Sequence, residues 1–180
     1  MSARLAFIRG INVGGKAQVP MGALRDALAE RGFTNVRTYI QSGNVVYDAP
    51  KRAGNSAAAL RKEARTITDA IEAMRGFAPV VMVRTAADVA AAFSASPYGG
   101  EDPGKAFMVF LDEDAAGLGD LDAAATAGEQ WHKGKGVIHL FCPDGLGRSK
   151  LAAKFAGSTK VPTTTRNLRT VAKLLELAGS

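Results

Sequence analysis

The chain of 180 residues contains a single cysteine, Cys142, so no disulfide can form within it. One unpaired thiol is typical of a reducing compartment. No apolar run approaches the roughly 20 residues that a membrane-spanning helix needs. The first nine residues already include two arginines, a pattern unlike a secretory signal. We therefore expect a cytoplasmic protein that has no membrane partner.

Charge is unevenly distributed along the chain, whose net charge is +6. Residues 1–95 carry a net +6, residues 100–130 a net −7 and residues 131–180 a net +7. This pattern indicates either a basic surface for an anionic partner or mutual neutralisation of the acidic segment by its neighbours. Hydrophobic residues make up 47% and charged residues 22%, which is an ordinary globular balance.

The first half of the chain predicts a ferredoxin-like unit. Short apolar and β-branched segments predict four strands, and helical spacing of apolar residues predicts two helices. The strands are expected at about 5–9, 36–41, 45–47 and 80–84, and the helices from Pro20 and over about 56–75. Their order is β-α-β-β-α-β, which defines that unit.

The second half repeats this architecture with differences. A linking helix over 86–95 and a glycine- and proline-rich loop after it divide the chain into domains of residues 1–95 and 96–180. The second half is predicted to contain strands at 106–111, 129–133 and 137–142, and helices at about 115–127 and 149–155. No fourth strand is evident, and a helix from Arg166 to Leu177 closes the chain. We expect an α+β fold of two ferredoxin-like halves with antiparallel sheets, the second half being a variant with an extra C-terminal helix.

A glycine-rich loop follows the first strand, at residues 10–16. It matches G-x-x-x-x-G-K, but Ala17 stands where a nucleotide-hydrolase P-loop needs Ser or Thr for magnesium. The backbone N–H groups of Gly14 and Gly15, beside Arg9 and Lys16, predict an anion-binding nest. The alternative is a glycine-rich turn with a structural role only.

The hairpin after the second strand is expected beside this loop. In a β-α-β-β-α-β unit the first two strands run parallel, so the segments that follow them share one edge of the sheet. Asn12 would then join three polar side chains of the hairpin in orienting a ligand: Gln41, Ser42 and Asn44. A turn sequence chosen for backbone reasons alone is the alternative.

Two further loops place basic residues before or within predicted helix starts. Arg148, Ser149 and Lys150 lie in one, and Thr165, Arg166 and Asn167 lie in the other. Cations oppose the helix dipole there, so a phosphate, carboxylate or nucleic-acid backbone would compensate them. Ser149 and Thr165 are also predicted N-caps, and solvated basic side chains are the alternative to a ligand site.

Five motifs occur in order along nearly the whole chain and carry a family resemblance. They are Phe7-Ile-Arg-Gly-Ile-Asn-Val-Gly-Gly15, Val19-Pro-Met21, Thr38-Tyr-Ile-Gln-Ser-Gly-Asn-Val45, Cys142-Pro-Asp-Gly-Leu-Gly-Arg-Ser-Lys150 and Thr165-Arg-Asn167. The combination strongly resembles the bacterial domain-of-unknown-function family numbered 1697. The resemblance implies two ferredoxin-like subdomains and brings no known activity, cofactor or catalytic residue.

Several other candidates have simpler interpretations. His132, His139 and Cys142 lack the spacing of a metal site, and Cys142 is expected to be a small buried residue. The acidic run at residues 112–114 is expected to cap a helix or to neutralise Lys133 and Lys135, with a magnesium site as the alternative. We expect neither a cofactor nor a metal.

The leading functional hypothesis is a protein that binds a phosphate-bearing ligand, either a nucleotide-like metabolite or nucleic acid. The ferredoxin-like sheet is shared with RNA-recognition modules, but the aromatic strand motif of those modules is absent. An enzyme acting on a phosphorylated or acyl substrate is the alternative, although no nucleophile–base pair is evident. A purely structural role would leave the three loops unexplained.

Overall fold

The structure is a computed structural model that describes residues 3–15, 17–49, 53–111, 121–126, 128–157 and 162–179. The chain divides into two compact units. The first comprises Met1–Val89 with Lys173–Ser180, and the second comprises Ala90–Ala172.

The first unit is a four-stranded antiparallel sheet with two helices. In chain order its elements are β1 (Ala3–Ile8), α1 (Met21–Glu30), β2 (Thr34–Tyr39), β3 (Asn44–Asp48), α2 (Ala57–Arg75) and β4 (Val81–Thr85). The strands lie in the order β2-β3-β1-β4. Because β1 and β2 are both antiparallel to β3, they run parallel to each other. This confirms the predicted ferredoxin-like order and places the ends of β1 and β2 together.

The core of the first unit lies between one face of this sheet and the two helices. Alternate residues of the strands, such as Ala6 and Ile8 of β1, point to that face. Leu24, Leu28, Ile67 and Ile71 of the helices are fully buried against them. The spacing of these apolar positions by four residues within each helix explains why both segments are helical.

The second unit begins within the helix α3 (Ala86–Ser94) and has a sheet of the same topology. Its strand order is β6-β7-β5-β8. The elements after α3 are β5 (Ala106–Leu111), a 3-10 turn (Asp122–Ala124), β6 (Gln130–Gly134), β7 (Val137–Phe141), a 3-10 turn (Leu146–Arg148), α4 (Lys150–Gly157), β8 (Thr163–Asn167) and α5 (Leu168–Gly179). The residues of α5 from Lys173 onward belong to the first unit. A helix was expected over about 115–127, and residues 122–124 of that segment form one 3-10 turn. Residues 112–120 lie outside the described residues. They include the acidic run 112–114 and the first part of the expected helix.

The prediction that the second half lacks a fourth strand is wrong. Residues Thr163–Asn167 form β8, paired with β5 at the edge of the sheet, and α5 begins only at Leu168. The three threonines are β-branched and suit an edge strand, where Thr163 and Thr164 are nonetheless buried. The segment lacks the alternation of apolar and polar residues that marks a half-buried strand. Its polar sequence therefore predicted a helix-capping loop.

Candidate functional site

The loop after β1 and the β2–β3 hairpin meet at one end of the first sheet. The Asn12 side-chain nitrogen Nδ2 donates a hydrogen bond to the backbone oxygen of Gln41 over 2.8 Å. The backbone N–H of Ile8 donates to the oxygen of Gly43 over 2.8 Å, so the hairpin closes directly on the end of β1. The structure therefore brings together the two segments that the topology placed side by side.

Asn12 holds the glycine-rich loop in shape. Its Oδ1 accepts from the Val19 N–H over 2.8 Å, and its Nδ2 donates to the Val19 oxygen over 3.0 Å as well as to Gln41. Both side-chain donors are used within the chain, so Asn12 orients the loop, and a ligand role for it stays a prediction. Its φ of 56° lies in the left-handed region that Asn tolerates.

Asn44 has the same role in the hairpin. It is fully buried, and its Nδ2 donates to the Tyr39 oxygen over 3.2 Å and to the Ser42 hydroxyl over 3.0 Å. These bonds fix the turn between β2 and β3. Asn44 therefore shapes the hairpin, while the exposed Gln41 projects from it.

An open cleft of about 460 Å³ lies between the loop and the hairpin. It is lined by Asn12, Gly15, Gln18, Val19, Pro20 and Gln41. Within the described part of the chain, the side chains of Gln18 and Gln41 make no hydrogen bond, and both are exposed. Each amide can donate and accept, so the cleft presents neutral groups that can bind a polar molecule.

The N-terminus of α1 adjoins this cleft and lacks a side-chain cap. Its N-cap residue is Pro20, no acidic residue lies in its first turn, and the first intrahelical bond comes from Leu24. In the described part of the chain the N–H groups of Met21, Gly22 and Ala23 have no acceptor. Each of the other four helices in the described ranges is capped by a side chain, namely that of Ser56, Thr85, Ser149 or Asn167.

Arg25 lies beside the start of α1 and was not anticipated from the sequence. Its Nη1 donates to the Thr38 hydroxyl over 2.8 Å, at the hairpin end of β2. A Cβ on Gly22 would lie 3.8 Å from its Nη2, so the exposed guanidinium rests against the first turn of the helix. No spacing within the sequence identifies Arg25, because its contact with Thr38 depends on the packing of α1 next to β2. Arg9 is partly buried after β1, and Lys16 lies outside the described residues.

In the second unit, the start of α4 already has an anion from the chain itself. Ser149 is its N-cap, as predicted, accepting from the Ala152 N–H over 2.8 Å. Burial alone would raise the pKa of Glu129, but hydrogen bonds from the Ser149 hydroxyl, from Thr126 and from the Leu151 backbone lower it. Arg148 and Lys150, both exposed, led us to expect that a ligand would supply negative charge at this helix start. The Glu129 carboxylate supplies a negative charge there.

The third basic loop is not a loop before a helix. Arg166 lies within β8, where its Nη1 donates to the Thr164 hydroxyl and the Thr165 oxygen over 3.0 and 2.8 Å. Burial lowers the pKa of Arg166 to about 10, so it remains a cation at neutral pH. The predicted N-cap at Thr165 is wrong, because Asn167 accepts from the Thr170 N–H over 2.9 Å and begins α5. A ligand role for Thr165, Arg166 and Asn167 stays a prediction.

The histidines and the cysteine form no larger cluster. His132 and His139 face each other across β6 and β7, with ring centroids 6.4 Å apart. Burial, and then the nearby His132, lower the pKa of His139, while burial raises the pKa of the buried Cys142 thiol. Among the described residues no group of three His, Cys, Asp or Glu side chains is placed to hold a metal ion. None of the helices described combines the length and apolarity needed to cross a membrane.

Comparison with known proteins gives a family without an assigned activity. The family model described as protein of unknown function, DUF1697, matches residues 1–139. The solved structure of a conserved bacterial protein from Streptococcus pneumoniae is similar to this chain with a TM-score of 0.70 and 23% sequence identity, covering 98% of each chain. That similarity extends to the fold alone. No curated protein matches the chain.

Proposed function

The chain belongs to the family DUF1697, and we propose that it binds a phosphate-bearing anion in the cleft beside the N-terminus of α1. The observation that carries this proposal is the unsatisfied start of that helix. The N–H groups of Met21, Gly22 and Ala23 have no acceptor in the described part of the chain, next to a cleft large enough for a metabolite. Unpaired N–H groups and the positive end of the helix dipole favour an anion there.

The charges around the cleft support an anion over a cation. None of the described residues that line the cleft is acidic, and the Arg25 guanidinium, positioned by Thr38, lies beside the helix start. Guanidinium groups bind phosphate oxygens through paired hydrogen bonds. Gln18 and Gln41 would bind the uncharged part of the ligand.

The proposed site is narrower than the one predicted from the sequence, which also included the two basic loops of the second half. At α4 the Glu129 carboxylate already accepts from the helix start, and Arg166 belongs to a strand. The cleft of the first unit therefore has a stronger physical basis than either loop of the second. We propose that the protein acts in the bacterial cytoplasm, in line with its single cysteine.

The test is calorimetric titration with inorganic phosphate and ribose 5-phosphate. Pro20→Asp would place a carboxylate at the N-cap of α1, so it should raise the melting temperature of the free protein and abolish binding. Pro20→Ala leaves the helix uncapped and should retain binding. Arg25→Gln should weaken binding about five- to tenfold.

The double variant Arg148→Gln/Lys150→Gln is the matched control in the second unit. It should bind both anions as the wild type does. Equal loss in this double variant and in Arg25→Gln would contradict the proposed location. Undiminished binding by Pro20→Asp, or no binding of either anion by the wild type, would contradict the proposed function.

A further inference from the structure

Exposed large apolar side chains occur at one end of the first sheet. Among the described residues they are Val13, Ile40 and Val80, with exposed fractions of 65%, 53% and 38%. Val13 is in the loop after β1 and Ile40 is in the β2–β3 hairpin. Val80 precedes β4, and its oxygen accepts from the Arg9 N–H at the end of β1 over 2.9 Å. Three separate segments thus expose apolar surface around the end of the sheet where the cleft opens.

Ile40 is unfavourable for stability in two respects. Its side chain is more than half exposed, and its φ of 48° places a β-branched residue in the left-handed region. Gly or Asn occupies such turn positions at lower cost. Neither feature contributes to folding, and residues held in this way concentrate at binding sites.

The cleft itself is built for more than a phosphate group. Its volume of about 460 Å³ falls in the range of small-molecule sites. Gln18 and Gln41 offer amides with both donors and acceptors, the groups that pair with the edge of a nucleobase. Val13 adjoins the lining residue Asn12 in sequence, and Ile40 adjoins Gln41, so apolar contact is available beside those amides.

From this combination we propose that the ligand of the cleft is a mononucleotide. Ile40 and Val13 contact the faces of its base, and the amides of Gln18 and Gln41 bind the edge of the base. The phosphate is held at the start of α1, so this part of the inference rests on the proposed function. A free mononucleotide fits better than a nucleic-acid strand, because the exposed large apolar residues of the described chain include no aromatic ring on which successive bases would stack.

The experiment titrates the four ribonucleoside monophosphates, the four nucleosides, ribose 5-phosphate and a tetranucleotide into wild type and Ile40→Gly. At least one monophosphate should bind the wild type about tenfold more tightly than ribose 5-phosphate does. Ile40→Gly should reduce that ratio severalfold and leave ribose 5-phosphate binding unchanged. Its melting temperature should equal or exceed that of the wild type, because glycine relieves the positive φ.

Asn35→Gly is the matched control, since Asn35 also has a positive φ, of 51°, and lies at the opposite end of the hairpin. It should leave all affinities unchanged. Ribose 5-phosphate binding as tightly as every monophosphate, or a ratio unaltered by Ile40→Gly, would overturn the mononucleotide inference and leave the anion site standing. Tighter binding of the tetranucleotide than of any monophosphate would also overturn it. A nucleoside binding as tightly as its monophosphate would instead overturn the anion site.

Discussion

The carboxamide nitrogen of Asn12 lies 2.8 Å from the backbone oxygen of Gln41, and this bond joins the glycine-rich loop to the β2–β3 hairpin. The same side chain holds Val19 through its N–H and its oxygen. One residue therefore sets the distance between the two walls of the cleft. The positions of Val19 and Gln41 relative to each other depend on this intramolecular contact.

Asn12→Ala should destabilise the protein and lower ligand affinity together. Three hydrogen bonds are lost and the left-handed φ becomes unfavourable, which together cost about 2–3 kcal/mol. Chemical denaturation measures this change. Gln41→Ala is the control for stability, because Asn12 binds the backbone of Gln41 and not its side chain. It should change the free energy of unfolding by less than about 0.5 kcal/mol, and an equal loss in both variants would contradict the assignment.

Gly43→Ala should be among the most destabilising changes in the hairpin. Its φ is +79°, and an added Cβ would lie 2.6 Å from the Ile8 oxygen and 2.9 Å from the Ile8 Cβ. Overpacking and the strained φ together should cost about 2–4 kcal/mol. Gly10→Ala has a similar φ of +68° with nothing within 4 Å of the added atom, so it should lose only about 1 kcal/mol by denaturation. Similar losses in the two variants would mean that the close approach to Ile8 is unimportant.

Glu63→Ala should strongly destabilise the first unit, because it removes the carboxylate that a buried arginine and a buried tyrosine share. Arg4 is fully buried, its Nε lies 3.4 Å from Glu63 Oε2, and the Tyr47 hydroxyl donates to the same oxygen over 2.6 Å. Removing one partner of such a pair costs about 3–5 kcal/mol. The double variant Arg4→Met/Glu63→Leu, in which no charge remains buried, should be more stable than Glu63→Ala when both are unfolded in denaturant. Greater loss in the double variant would contradict this account.

The Tyr47 hydroxyl also gives the first unit a dependence on alkaline pH. Burial, and then the hydrogen bond and charge of Glu63, raise its pKa above the value of 10.0 expected in an unfolded chain. The folded state therefore retains the proton more strongly, so the stability is complete below about pH 10 and falls as the pH rises further. Thermal melts of wild type and Tyr47→Phe between pH 8 and 11 should converge as the pH rises, since the variant lacks this group. Parallel curves would be the contrary result.

The parts of this site that depend on topology were predictable from the sequence. The meeting of the Gly10–Lys16 loop with the Gln41–Asn44 hairpin follows from the parallel course of β1 and β2, and the described residues confirm it. Ser149 was predictable as an N-cap because a serine before an apolar helical pattern satisfies a local rule. The same rule predicted an N-cap at Thr165 and failed. Three consecutive β-branched threonines fit a strand as well as a helix start, and the segment forms β8.

The remaining features depend on contacts between distant residues. Arg25 reaches Thr38 only because α1 packs next to β2, and no spacing within the helix shows that approach. Likewise, the amide of Asn12 could donate hydrogen bonds to a ligand, but in the structure it donates to the backbone oxygens of Val19 and Gln41. Glu129 lies 20 residues before Ser149, so the charge balance of α4 was invisible in the local sequence.

Glu129→Gln should change the pH dependence of stability, because it removes the negative charge at the start of α4. The hydrogen bonds of Ser149, Thr126 and Leu151 outweigh burial and hold the pKa of Glu129 below its ordinary value of 4.5. For a carboxyl whose folded pKa is depressed, the stability is present above the unfolded value and is lost as the pH falls through the folded one. Wild type should therefore exceed Glu129→Gln in melting temperature at pH 7, with the difference shrinking below about pH 4.5.

The same variant also separates the two basic loops. With its internal anion removed, the start of α4 and the neighbouring Arg148 and Lys150 should gain weak affinity for sulfate, which calorimetry detects as a second site absent from the wild type. The double variant Arg148→Gln/Lys150→Gln in the Glu129→Gln background should lose that second site and keep the first. A second sulfate site in the wild type would contradict this account, because it would show that Glu129 does not satisfy the start of α4. Arg148 and Lys150 would then count as anion-binding residues.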